Sequence, residues 1–214
     1  ATNFEGEVIV GVGTYSIPVT ATDVSGNAGS VTNTRTFTAN GLSTTLAYDL
    51  SGNQTLKSNA SSVLTFGWDG ANRCVAITNG LYRTALSYDG SSRWTRITEY
   101  SNSVVIADRR FIWNGVTLAE ERDANNNVVQ RFYSDGFQRG GTNYFYVKDH
   151  LGSVREVYSQ SGVIQARFDY DSYGNRTQTY GTLKVDFGFA GLFELPNGIK
   201  LAVWRIYDPV TGRW

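Results

Sequence analysis

Short runs that alternate apolar and polar residues, each closed by turn chemistry, fill this chain from about residue 44 onward. Residues 62–93 set the pattern. Val63-Leu64-Thr65-Phe66-Gly67-Trp68 is β-favouring, Asp69-Gly70-Ala71-Asn72 is a turn, and Cys74-Val75-Ala76-Ile77-Thr78 is β-favouring again. Asn79-Gly80 follows, a pair that tolerates positive φ and reads as a two-residue hairpin turn. Residues 81–88 then form another run, ending on Tyr88-Asp89. Successive side chains of a strand point to opposite faces, so such alternation predicts half-buried sheet. The same reading predicts strands at 64–68, 75–78, 81–88, 109–113, 128–133, 144–147, 153–158 and 163–170. Residues 115–123, with Leu118-Ala119-Glu120-Glu121-Arg122, come nearest to a helix, and their β context predicts a strand there too. The fold class expected is all-β.

An aromatic followed by aspartate recurs at the ends of these runs. Tyr48-Asp49, Trp68-Asp69 and Tyr88-Asp89 start 20 residues apart, and Tyr170-Asp171 lies in the strongest copy, Phe168 to Arg176. A fixed period means one small unit stacked repeatedly. Each unit reads as one hairpin step, with the aromatic buried across a neighbouring strand. The aspartate caps the turn by accepting backbone N–H groups. The glycine after it supplies positive φ. The Arg or Asn after the turn is expected to pair with an acid of the next unit. Later anchors fall at Trp113, Tyr133, Val147-Lys148-Asp149, Tyr170 and Phe187, and the turn Asp123 to Asn127 reads as an insertion that makes the period drift. Tyr48, Trp68, Tyr88, Trp113, Tyr133 and Tyr170 are expected to be mostly buried.

The first forty residues differ. Residues 14–23 read as a strand, 24–29 as a turn and 30–37 as a returning strand. With its Ala21-Thr22-Asp23 and Gly26-Asn27, this hairpin resembles the last two strands of bacterial extracellular immunoglobulin-like domains. A sandwich of that type needs about seven strands, so residues 1–38 supply part of one. The expected division is 1–40 as an N-terminal β-segment and 41–214 as the repeat region.

Composition narrows the function. The formal net charge is zero, with 19 basic and 19 acidic residues, so nucleic-acid binding through counterion release is not expected. No apolar run is long enough to insert in a membrane. The single cysteine, Cys74, excludes an intrachain disulfide and reads as a buried small hydrophobe. His150 is the sole histidine. Asp149, His150 and Ser153 carry the residue types of a nucleophilic triad, but neighbours in an extended strand face opposite ways, so Asp149 cannot orient His150. One His and one Cys do not make a zinc site. Oxygen-rich turns at Asp23, Asp49 and Asp123 lack the closing glutamate of a calcium loop and read as caps. Glu120-Glu121 and the Asp169/Asp171 pair are the carboxylates available for acid–base work. No cofactor, no metal and no enzymatic activity are expected.

Three stretches carry a family resemblance. Asp149-His150-Leu151-Gly152-Ser153-Val154-Arg155 is followed by Tyr170-Asp171-Ser172-Tyr173-Gly174, and Tyr207-Asp208-Pro209-Val210-Thr211-Gly212-Arg213-Trp214 closes the chain. In order and spacing these resemble the core signature of the Rhs (rearrangement hot spot), or tyrosine-aspartate repeat, family, with the signature at 147–214. The family includes the shells of insecticidal toxin complexes and the extracellular barrels of teneurins. The resemblance covers residues 44–214. It implies an antiparallel β-strip that spirals as part of a hollow shell, with the chain turning inward near the signature. It also implies a shell that encloses a C-terminal toxin or displays adhesive surfaces. Self-cleavage residues of such shells lie in a further stretch that is not present before Trp214.

The first function expected is therefore an extracellular structural or interaction protein, secreted or at the cell surface, that assembles by strand addition into a filament. The alternatives are a shell segment of a polymorphic toxin and a carbohydrate-binding or adhesion module. Partners expected are other protein chains, a second copy that pairs through residues 5–12 or 15–21, and carbohydrate.

Overall fold

The computed structural model describes the backbone of Gly13–Val19 and Asn33–Ala39 and all of residues 44–214. The strands β1 (Gly13–Val19) and β2 (Asn33–Ala39) pair antiparallel from Gly13↔Ala39 to Val19↔Asn33 and form a two-stranded sheet of their own. The pairing segment expected at 5–12 and the turn at 24–29 lie outside the described residues.

The main sheet begins with β3 (Thr45–Tyr48), β4 (Gln54–Ser58), β5 (Val63–Trp68), β6 (Cys74–Asn79), β7 (Tyr82–Tyr88), β8 (Trp94–Ser101) and β9 (Val104–Asn114). It continues through β10 (Thr117–Arg122), β11 (Val128–Tyr133), β12 (Gly136–Arg139), β13 (Thr142–Lys148), β14 (Val154–Ser159), β15 (Ile164–Tyr170) and β16 (Arg176–Gly181). These 14 strands lie side by side in chain order, each antiparallel to the next. The fold is all-β, a tyrosine-aspartate strip, and no α-helix occurs among the described residues. Every strand read from the alternation is present, and β11 has the expected bounds.

The turns occupy two edges. Along one edge run the turns after Tyr48, Trp68, Tyr88, Asn114, Tyr133, Lys148 and Tyr170. The Asp123 turn joins β10 to β11 on the opposite edge. It is a regular connection there, and the drift of the period reflects unequal strand lengths: β9 has 11 residues where β5 has 6. At the hairpin after β6 the register pairs Asn79 with Tyr82, so the two turn residues are Gly80 and Leu81. Asn79 ends the strand instead of opening the turn. Gly80 holds the positive φ, 57°.

After β16 the chain leaves the strip. A 3-10 turn at Phe189–Gly191 leads to β17 (Phe193–Glu194), β18 (Lys200–Leu201) and β19 (Ile206–Tyr207), a separate three-stranded sheet. Phe187, read as a repeat anchor, belongs to this departing segment and bridges to Phe193. The segment, residues 182–214, lies across one face of the strip. Phe193 is wholly buried against Trp94, Phe111 and Phe187, with ring centroids 4.8, 5.4 and 5.7 Å away. Ile77, Ile97, Phe137, Val157 and Phe168 line the covered face of the strip. Leu195, Ile199 and Leu201 come from the segment. Each such side chain contributes about 1.5–3 kcal/mol by leaving water. The core is therefore built between one face of the strip and residues 182–214.

Candidate interaction site at the turn edge

The aspartate turn has one geometry throughout. Oδ1 of Asp69 accepts the N–H groups of Ala71 (2.9 Å) and Arg73 (3.0 Å), while Oδ2 accepts Nε of Arg73 (2.8 Å). The backbone closes with Asp69 N–H to Arg73 carbonyl and Asn72 N–H to Asp69 carbonyl, both 3.0 Å. The same backbone bonds recur at Asp49, Asp89, Asp123, Asp149 and Asp171. A short carboxylate with two acceptor atoms can reach both amides at once, which is why aspartate holds the position. At Ser159 a hydroxyl takes its place, accepting the Val163 N–H at 3.3 Å.

The residue with positive φ is three beyond the aspartate: Gly52, Asn72, Ser92, Asn126, Gly152 and Gly174. Gly70 and Gly90, directly after their aspartates, do not occupy that region, which corrects the expectation. Side-chain bonds from Asn53, Arg73, Asn127 and Asn175, followed by backbone N–H groups, hold the Asp49, Asp69, Asp123 and Asp171 carboxyls below the ordinary range. At Asp89 and Asp149 burial works upward, and the hydrogen bonds to Arg93 and to the Ser153 and Leu151 amides outweigh it.

Arg73 and Arg93 thus pair with the acid of their own turn, not with that of the next unit, because four residues of turn bring the guanidinium back over its own carboxylate. They touch the next unit through backbone: Arg73 Nη1 to the Asp89 carbonyl (3.4 Å) and Arg93 Nη1 to the Gly115 carbonyl (2.5 Å).

The motif aromatics form a backward ladder. Trp68 donates its indole N–H to the Gln54 carbonyl (2.8 Å), Tyr88 its hydroxyl to Cys74 (2.7 Å), Trp113 to Trp94 (2.6 Å) and Tyr170 to Val154 (2.7 Å). Each acceptor opens the first strand after the preceding turn of that edge. These four are half-buried against the core. Tyr48 and Tyr133 are 46% and 56% exposed, contrary to expectation. The β11 pattern explains Tyr133: Gln130 and Phe132 face the core, so the next residue faces out. Tyr48 lies in the terminal strand of the sheet, with a strand neighbour on one side only among the described residues.

The three signature stretches meet. Gly152 (φ 84°) completes the Asp149 turn, and Ser153, fully buried, accepts the Ala190 N–H on Oγ at 3.0 Å. Arg155 bonds Asp169 at 2.5 Å and lies over the Tyr170 ring at 5.6 Å. Gly174 (φ 90°) abuts Phe189, whose ring would lie 2.4 Å from a Cβ there. Tyr207 donates its hydroxyl to the Tyr173 carbonyl (2.8 Å), and the Pro209 carbonyl accepts Nδ2 of Asn175 (3.2 Å). Gly212 (φ 65°) faces the Tyr173 ring. Asp208 binds Lys57, and Arg213 reaches the Tyr48 hydroxyl at 2.9 Å. The signature therefore joins the last repeat of the strip to its first.

The sequence reading missed the ionic contacts that hold the segment down. Arg109 forks onto Glu121 (2.8 and 2.7 Å) and reaches Asp186 at 2.6 Å, and Arg139 bonds Asp186 at 3.2 Å. Glu194 receives Lys200 (2.9 Å) and Arg176 (3.3 Å). Burial works to lower the Arg109 pKa, and its bonds to Glu121 and Asp186 outweigh that and raise it.

The triad candidates do not converge. Asp149 and His150 lie in a turn, not in a strand; the Asp149 carboxylate is spent on backbone N–H groups, His150 is exposed, and Ser153 is buried. Glu120 and Glu121 face opposite sides, one toward Arg122 and Arg131, the other toward Arg109. Among the described residues no three His, Cys, Asp or Glu side chains group as metal ligands, and no helix is long and apolar enough to cross a membrane.

The described residues form a continuous strip of stacked hairpins crossed by the C-terminal segment. Residues 121–214 match the Teneurin YD-shell family. The tyrosine-aspartate resemblance is borne out by this match to residues 121–214. Among curated proteins, the tRNA3(Ser)-specific nuclease WapA of Bacillus spizizenii is 27% identical over 180 residues, and the tRNA nuclease WapA of Bacillus subtilis is 26% identical. Both alignments take in 78% of this chain and 7% of the relative. The Tc holotoxin pore of Photorhabdus luminescens aligns at 13% identity with a TM-score of 0.43, over 80% of this chain and 8% of the other. A TcdB2-TccC3-TEV structure aligns at 13% and 0.44, over 80% and 9%. The Bacillus relatives are named as nucleases, which overturns the expectation of a protein without enzymatic activity. That expectation weighed only residues in the shared stretch, and the stretch is a small part of each relative.

Proposed function

We propose that this chain is a wall segment of a secreted or cell-surface YD-repeat toxin, in which a long array of such hairpins encloses an enzymatic cargo. In this reading, the tRNA cleavage named for the Bacillus relatives belongs to a protein whose shell contains this segment. One observation carries the reading: residues 182–214 traverse the covered face from Arg176, by way of Glu194, to Lys57 and Tyr48, by way of Asp208 and Arg213. In this reading the crossing braces the covered face of the strip from its last strand to its first. The YD pairs and the signature residues act as couplers between units. Residues 1–40 are a separate N-terminal segment, supported by the independent β1–β2 sheet.

Limited proteolysis of the whole protein tests this. Cargo protected in the wild type and cleaved in Lys57→Ala is the expected result. Equal cleavage of both proteins, at sites throughout the cargo, contradicts enclosure.

Among the described residues β3 and β16 are each paired in the sheet on one side only, which favours further strand addition, by other repeats or by a second copy. Sedimentation of the isolated chain distinguishes them: a monomer at all concentrations excludes self-addition.

A further inference from the structure

We propose that the groove between the turn edge of the first three repeats and the C-terminal segment binds a linear acidic oligosaccharide. Two adjoining hollows make the groove, of about 440 and 220 Å3, and both are lined by Asn53, Trp68, Ile206 and Trp214. Tyr48 extends the first and Tyr88 and Trp204 the second. Tyr48, Trp204 and Trp214 are 46%, 59% and 64% exposed. Aromatic faces left open along a groove suit the apolar C–H faces of sugar rings, with polar tips for the hydroxyls.

The fold sets their spacing. Tyr48, Trp68 and Tyr88 each end a strand, two strands apart, so successive aromatics sit roughly 9.6 Å apart at the usual strand separation. That distance is on the scale of a disaccharide in an extended chain. The charge sets the class of sugar. Arg205 and Arg213 line the groove, and neither forms an ion pair among the described residues. The acids nearby are committed: Asp208 to Lys57, Asp69 to Arg73, Asp89 to Arg93, and Asp49 to the Ser51 and Asn53 amides and Asn53 Nδ2 of its own turn. Two guanidinium groups without a carboxylate partner, Arg213 holding only the Tyr48 hydroxyl, sit beside aromatic faces and fit carboxylates carried on a sugar chain. Gln54, also in the wall, has a buried amide nitrogen without a partner, and rotation of the amide lets a ligand oxygen satisfy it.

An extended peptide fits less well. The backbone N–H groups of Ser51, Asn53, Ala71 and Asn72 are spent inside their turns, so the groove offers no ladder for strand addition. A nucleic acid draws on a larger positive field than a chain of zero net charge provides.

The test is titration of the 214-residue chain with hyaluronan oligosaccharides, followed by tryptophan fluorescence and calorimetry. A neutral cello-oligosaccharide, an extended peptide and single-stranded RNA serve as competitors. Saturable binding that shifts the emission and weakens with salt is expected. Trp204→Ala and Arg205→Glu, both at exposed positions, should each weaken it by about tenfold, the loss of one stacking or charged contact. No binding, equal binding of the neutral sugar, full displacement by peptide or RNA, or unchanged affinity in both folded variants overturns the proposal.

Discussion

Lys57 of β4 and Asp208 of the C-terminal segment meet at 2.5 Å although 151 residues separate them, and their side chains are only 7% and 9% exposed. Asp208 also accepts the Val210 N–H (3.0 Å) and the Thr211 hydroxyl (3.1 Å). A charge buried this deeply is tolerated only while paired. Lys57→Ala or Asp208→Ala should each cost about 3–5 kcal/mol, because each leaves the partner charge stranded. The double variant should lose less than the sum. Urea unfolding of the two singles and the double measures this, and additive losses would refute a direct pairing.

Two glycines admit no side chain. A Cβ on Gly136 would lie 2.0 Å from the Tyr144 carbonyl oxygen, and one on Gly181 would lie 2.0 Å from that of Gln165. Both obstacles are backbone, so alanine at either forces the neighbouring strand away. Gly70→Ala, with open space and without positive φ, is the control. Thermal denaturation should show large losses for the first two and little change for the third.

The backward ladder predicts small, equal steps. Tyr88→Phe and Tyr170→Phe each remove one hydroxyl bonded to a backbone carbonyl and should cost about 1 kcal/mol. Trp68→Ala, at a half-buried site, should cost more than these but less than a core truncation such as Phe193→Ala, about 3–5 kcal/mol. If Tyr88→Phe is neutral by chemical denaturation, the ladder contributes nothing to stability.

Cys74 is buried, and burial, opposed only by its contact with the Ala76 carbonyl, pushes its thiol up to about 12. The reactive species is the thiolate. Iodoacetamide at pH 8 should therefore leave the folded chain unlabelled and modify it stoichiometrically in denaturant. Mass spectrometry checks this, and rapid labelling of the native chain would place the thiol at the surface.

The turn aspartates contribute to the acid response together with Asp108, Glu120 and Glu156, which hydrogen bonds to Arg96, Arg122 and Tyr158 also lower. Asp49, Asp69, Asp89, Asp123, Asp149 and Asp171 all sit below their ordinary pKa. In the range where the unfolded chain takes up protons, the folded chain still resists them, so acid favours unfolding. The stabilisation is fully present above the unfolded value of about 3.9 and is lost as pH falls through the lower folded values. Glu99, raised by burial, works the other way, but alone. Urea midpoints should stay level down to about pH 5 and fall below about pH 4, onset set by the unfolded value. A rise in stability at low pH would contradict the assignment.

The strip was legible because strand and turn are local events. Alternation marks Val63 to Trp68 as a half-buried strand whatever lies beside it, and Asp69 caps its turn with atoms no more than four residues away. Phe132 and Tyr133 show where that reading ends: adjacent aromatics look alike, and only the phase of β11 decides that Phe132 faces the core. The segment beyond Gly181 was not legible. Its partners, Lys57, Arg109 and Arg139, are charged residues that read as solvent-facing until Asp208 and Asp186 are brought to them. The acceptors of the aromatic ladder are bare carbonyls, which no side-chain pattern can announce.

The direction of that ladder sets an order of events. Trp68, Tyr88, Trp113 and Tyr170 each bond to a carbonyl that precedes them in the chain. A hairpin leaving the ribosome therefore finds its acceptor already in place and need not wait for residues still to be made. The closing contacts obey the opposite rule, since Lys57 and Tyr48 must await Asp208 and Arg213. The strip can thus form course by course as it is translated, while the contacts of residues 182–214 with Lys57 and Tyr48 follow those of the hairpins.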